Sequence, residues 1–141
     1  LIASVIVGIQ IWHENAVLER LVSDGFITYK MPPLDASDLS ASDRQFGVYL
    51  QEGDFHFEKK NYTKAITSYR LVQQESSANS SIRQTSEWHE SLALYHLNGH
   101  RNPSFLQLLS KIEEQPNHIY QEKAKMMHRQ LDNFFVRLSK G

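Results

Sequence analysis

A chain of 141 residues suits one ordinary domain and falls short of two independent cores. Its 15 basic and 16 acidic residues leave a formal charge of −1, so no large positive field exists to attract nucleic acid or an anionic surface. Cysteine is absent, which excludes disulfides, thiol nucleophiles and thiolate metal sites.

The first twelve residues, Leu1 to Trp12, carry no charge and read LIASVIVGIQIW. As a helix the run spans about 18 Å, short of the ~20 residues needed to cross a bilayer. Because the chain begins at Leu1, we read it as a fragment or processed product, and this run can be the outer half of a membrane span. Val5, Ile6, Val7, Ile9 and Ile11 surround a helix instead of forming one stripe, and Trp12 suits a membrane interface. The alternative is a core helix docked on the rest of the domain. A secretory segment is disfavoured, because no basic flank or cleavage site is visible.

Ala16, Val17, Leu18, Leu21 and Val22 continue the helical period to about Ser23, and Asp24-Gly25 breaks it. Residues 1–23 are thus an apolar N-terminal helix. Residues 24–39 form a proline-containing arm, since Pro32 and Pro33 remove backbone donors and push Met31 out of helical geometry. Phe26, Ile27, Tyr29 and Met31 suggest that this arm packs along a surface; disorder is the alternative.

Residues 40–141 read as helices in pairs. Ser40 caps the first in a weakened capping box with Asp43, with Phe46, Tyr49, Leu50, Phe55 and Phe57 apolar, and it stops near Lys60. Asn61 caps a second, carrying Ala65, Ile66, Tyr69, Leu71 and Val72 and ending in QQESSANSS. A third starts after Ser80 or Ser81, carries Ile82, Trp88, Leu92, Tyr95 and Leu97, and stops at Asn98-Gly99. Asn102-Pro103 opens a fourth, with Phe105, Leu106, Leu108, Leu109 and Ile112 apolar. Asn117 caps a fifth, with Tyr120, Ala124, Met127, Leu131, Phe134, Phe135 and Leu138 inward. Short loops between such helices require antiparallel neighbours.

Tyr49, Gly53, Tyr62, Ala65 and Tyr69 stand at the spacings of a tetratricopeptide repeat: a large aromatic, Gly four positions later, then aromatic, small and aromatic residues across the turn. Residues 49–69 therefore resemble one repeat of that family. Trp88 and Tyr95 resemble the first-helix positions of a second, although Leu92 replaces Gly, Phe105 replaces Ala and the spacing is irregular. The later text LLSKIEEQPNHIYQEKAKMMHRQL is similar to the ending of short membrane-anchored repeat proteins of Bacteroidetes-type bacteria. The resemblance implies an all-α fold: antiparallel helix pairs stacked as a short α-solenoid of about two repeats plus a C-terminal capping helix. It also implies a membrane-anchored protein with the domain periplasmic; a cytoplasmic location is the alternative.

Such a stack exposes a concave face lined by the first helix of each pair, able to hold a protein or peptide. The repeat phase puts Leu50, Asp54, Phe57 and Glu58 on that face from one pair, and His89, Ala93 and His96 from the next. Leu50 and Phe57 can equally be core. Relatives that clamp a terminal carboxylate use Lys and Asn here, and Leu50 with Asp54 argues against that ligand.

Site chemistry is sparse. His96 and His100 have the i, i+4 spacing that can share a metal, with His89 two turns earlier, but Gly99 interrupts the pair and no acidic third ligand stands at helical spacing. No serine lies in a nucleophile context and no glycine-rich phosphate loop occurs. Glu113-Glu114 reads as a solvated helix end. The expectation is a non-catalytic interaction scaffold without cofactor. A structural homo-oligomerisation domain is the alternative, and a histidine-based metal or enzymatic domain ranks last.

Overall fold

A computed structural model describes residues 2–30, 40–74 and 80–140. Among them there are six helices and no strand: α1 (Ile2–Gly25), α2 (Ala41–Glu58), α3 (Tyr62–Gln74), α4 (Ser80–Asn98), α5 (Pro103–Glu114) and α6 (Gln121–Lys140). Met31, the two prolines and the rest of the arm to Leu39 lie outside the described residues, as do residues 75–79 of the polar stretch and the side chains of Val7, Ile11, Phe134, Phe135 and Leu138.

The caps explain the helix ends. Ser40 Oγ accepts the Asp43 amide at 3.1 Å and donates to Asp43 Oδ2 at 2.8 Å, a side-chain variant of the capping box. Asn102 Oδ1 accepts the Ser104 amide at 3.0 Å and Pro103 takes the first helical position. Gly99 closes α4 at φ 74°, its amide reaching Tyr95 O at 2.6 Å. The fifth sequence-read helix needs correction. Asn117 adopts φ 64° and is not a cap, and α6 begins at Gln121. The connection before it is held by His118, whose Nδ1 accepts the Tyr120 amide at 3.1 Å, and by Gln84 Oε1, which accepts the Ile119 amide at 2.9 Å.

Successive helices from α2 to α6 pack against one another, and α2 also lies against α4. α2 packs tightly on α3 at Gly53. Ala65 is fully buried, and a Cβ added to Gly53 would stand 2.6 Å from Tyr69 Cδ1, so the ring occupies the space a side chain would need. Asn102 ties α5 to α4 through Nδ2 donating to Leu94 O at 3.1 Å.

α4 is the central element. Every residue from Thr85 to Tyr95 is buried, including Thr85, Ser86, Glu87, His89, Glu90 and Ser91. Each of these polar side chains is bonded. Thr85, Ser86 and Ser91 donate to the carbonyls of Ser81, Arg83 and Trp88. Glu90 accepts from Arg70 Nε at 2.7 Å and Gln73 Nε2 at 2.8 Å on α3, and Glu87 accepts from Lys111 Nζ of α5 at 2.6 Å and His118 Nε2 at 3.2 Å. Trp88 and Tyr95 face α1: the indole donates to Gly25 O at 2.7 Å and the Tyr95 hydroxyl to Glu19 Oε1 at 3.2 Å.

α1 differs between its halves. Leu18 and Val22 of the second half are buried where the helix packs on α6 and α4. In the first half Val5, Ile6, Ile9 and Trp12 are 57%, 51%, 60% and 72% exposed, so these residues do not join the core. No helix among the described residues is long and apolar enough to cross a membrane. Phe55, Leu71 and Leu97, read as apolar-face residues from the sequence, are also exposed. Phe55 instead lies edge-on to His56 and under Lys59.

Candidate functional site

α2 and α4 run side by side and present Asp54, Phe57 and Glu58 opposite His89 and His96. One helical turn separates Leu50 from Asp54 and Asp54 from Glu58, which aligns them along one face of α2. The face is not open. After Gly25 the chain leaves α1 and residues 26–30 cross it without helical structure.

The Phe26 ring stacks on Phe57 at 4.1 Å between centroids, with the planes 7° apart, and leans on His89 at 4.7 Å. Thr28 Oγ1 donates to Glu58 Oε1 at 2.7 Å, and the Tyr29 amide donates to Asp54 Oδ2 at 2.6 Å. Ile27, Thr28 and Lys30 face solvent. Of the apolar residues expected to pack, Phe26 and Tyr29 lie against this surface, Ile27 is exposed and Met31 lies outside the described residues.

Asp54 is the hub. Besides the Tyr29 amide it accepts the Tyr69 hydroxyl at 2.8 Å and His89 Nδ1 at 2.7 Å, all on a fully buried carboxylate. Three donors satisfy a group that would otherwise be costly to bury. Because the carboxylate accepts, Nδ1 carries the hydrogen on His89. Nε2 of that ring is buried and has no hydrogen-bond partner among the described residues. Burial, then the charge and hydrogen bond of Asp54 and the charge of Glu58, push the Tyr69 phenol far above its ordinary value and keep it a neutral donor.

The sequence-read groove residues thus differ in accessibility. Leu50 is fully buried in the core, Asp54 and His89 are buried beneath residues 26–30, Phe57 is covered by the Phe26 ring, Ala93 is buried and Glu58 remains exposed. His96 is half-buried and stacks flat on Tyr62 at 4.8 Å; burial, assisted by Lys60 and opposed by Glu19, lowers its pKa. The correction has a physical cause: the segment before α2 supplies the cover that a repeat stack read in isolation lacks. Of the packing residues, Tyr69, Ala65, Trp88 and Tyr95 are buried and Tyr49 and Tyr62 half-buried.

α4 ends at Asn98, so His96 and His100 sit on different structural units, and no group of three metal-ligating side chains occurs among the described residues. Sequence reasoning missed the Asp54–His89 pair and the Glu87–Lys111–His118 cluster. For the cluster, the available signal was Glu87 and Glu90, two acidic residues three apart on the helix that carries Ile82, Trp88, Leu92 and Tyr95. Comparisons with protein-family models, curated proteins and solved structures return no match.

Proposed function

We propose that this chain is a non-catalytic protein-interaction module, a short tetratricopeptide-like helical scaffold whose α2–α4 face holds an extended polypeptide, tethered to a membrane through the apolar half of α1. The observation that carries this reading is the grip on residues 26–30. A backbone amide, a hydroxyl and an aromatic ring of a non-helical segment are each met by a matching group on that face, the elements from which groove recognition is built. Repeat-like packing is supported by Gly53 beneath the Tyr69 ring and by the adjacency of α2 and α4. The tether is supported by the exposed Val5, Ile6, Ile9 and Trp12. The same residues favour self-association as the second reading.

The test places a photo-crosslinking residue at Glu58, exposed beside the groove, in the full chain within the cells that produce it. A discrete protein adduct, suppressed by excess unmodified chain and absent when the residue is placed at Gln107, is the expected result. Adducts of equal yield from both positions, or from neither, refute the proposal.

A further inference from the structure

The contacts that hold residues 25–30 are of the kinds that hold an extended peptide in a groove. Trp88 Nε1 fixes Gly25 O at 2.7 Å, the Phe26 ring fills the place between Phe57 and His89, Thr28 meets Glu58 and the Tyr29 amide meets Asp54. Only Phe26 and Tyr29 turn inward, while Ile27, Thr28 and Lys30 are exposed. A five-residue segment anchored by one ring and its own backbone can be copied by another chain. The fit is also incomplete, because His89 Nε2 stays buried without a partner beside the Phe26 ring.

We propose that residues 26–30 are an intramolecular stand-in for the ligand, so that the groove takes in trans an extended peptide with an aromatic anchor, and this peptide must displace the chain's own segment. The ligand's chemistry follows from what the segment touches. Its anchor is aromatic, to lie between Phe57 and His89. Its second following residue carries a hydroxyl or another donor for Glu58. Its third is not proline, because Asp54 needs that residue's N–H. Acidic residues are excluded along this stretch by the carboxylates of Asp54 and Glu58, and an anchor able to hydrogen-bond His89 Nε2 outcompetes phenylalanine. The inference rests on the interaction reading above.

A fluorescent peptide with the sequence of residues 25–30 is the probe, titrated into the full chain. Wild type binds it weakly, because the fraction of molecules with a vacant groove divides the intrinsic affinity. Phe26→Ala removes the competitor's anchor and tightens binding by about tenfold or more, and adding Asp54→Asn abolishes the gain. A peptide with proline in place of its tyrosine does not bind. Should Phe26→Ala disturb the fold, wild type gives a second readout: the Tyr29 amide, protected by Asp54, becomes open to hydrogen exchange at saturating peptide. Equal affinity of wild type and variant, or a Tyr29 amide that stays protected when peptide is saturating, overturns the proposal. A Glu58 adduct that forms to the same extent with and without Phe26→Ala keeps the interaction module and discards this segment as its competitor.

Discussion

Replacing Gly53 with alanine adds one methyl group at the tightest point between α2 and α3. The new Cβ would stand 2.6 Å from Cδ1 and 3.1 Å from Cζ of Tyr69, against the ~3.5–4.0 Å of ordinary carbon contact. Tyr69 cannot yield cheaply, since it is fully buried and its hydroxyl is bonded to Asp54 at 2.8 Å. Alanine gains about 1 kcal/mol over glycine inside a helix. Overpacking costs about 1–3 kcal/mol, and a swing of the ring that leaves Asp54 one donor short costs about 1–3 more. The net expected loss is near 3 kcal/mol, which for a domain of this size lowers the melting temperature by roughly 10 °C. Thermal unfolding followed by circular dichroism measures it. Gly8→Ala is the internal control, because nothing stands within 4 Å of its added Cβ and only the helix gain of about 0.5–1 kcal/mol is expected. If Gly53→Ala melts at or above the wild-type temperature, the close approach of α2 and α3 through Tyr69 is wrong.

Asn102→Ala removes both the cap of α5 and the bond to Leu94 O, and urea unfolding should report a loss of about 2 kcal/mol; a loss below about 0.5 kcal/mol would place that side chain in solvent. Burial lowers the pKa of His96, His100 and His118 below 6.5, so the unfolded chain takes up protons first on acidification. Stability held above pH 6.5 should therefore decline as pH falls through that value, by at most about 1.4 kcal/mol per pH unit for each histidine. His118→Gln should flatten the slope, and an unchanged slope between pH 5.5 and 7.5, read from urea midpoints, would show that His118 is not held neutral. Ile6→Asp with Ile9→Asp changes exposed positions and should leave unfolding within about 0.5 kcal/mol per site, while abolishing flotation with lipid vesicles; flotation equal to wild type would remove the tether from the proposal.

Helix ends were legible where local chemistry decides them. Ser40 with Asp43, Asn102 with Pro103, and Gly99 act within a turn of their own position, so the sequence states them directly. Asn117 failed as a cap because the same residue type also favours the left-handed region, and this connection is tied at a distance to α4, where Gln84 holds the Ile119 amide and Glu87 holds His118. α4 was legible as a helix but not as the centre. Periodicity reports one buried face, whereas this helix is covered by α2, α3, α5 and α1, and its glutamates are neutralised by Arg70 and Lys111 from neighbouring helices. The Asp54–His89 pair spans 35 positions, and no pattern within one helix encodes it. Residues 26–30 showed their apolar character in the sequence, but the surface that receives them exists only after α2 and α4 meet.

The docking of α1 on α6 sets an order of assembly. Pairings from α2 to α6 join neighbours along the chain and can form as each helix leaves the ribosome. Leu18 and Val22, made before α2 to α6, must wait for α6 before their cover is complete. During synthesis the nascent chain thus carries two unsheltered apolar surfaces on one helix, the first half that stays exposed in the finished fold and the second that does not. A chain halted before α6 would leave Leu18 and Val22 without the cover that helix gives them, beside the exposed Val5, Ile6, Ile9 and Trp12.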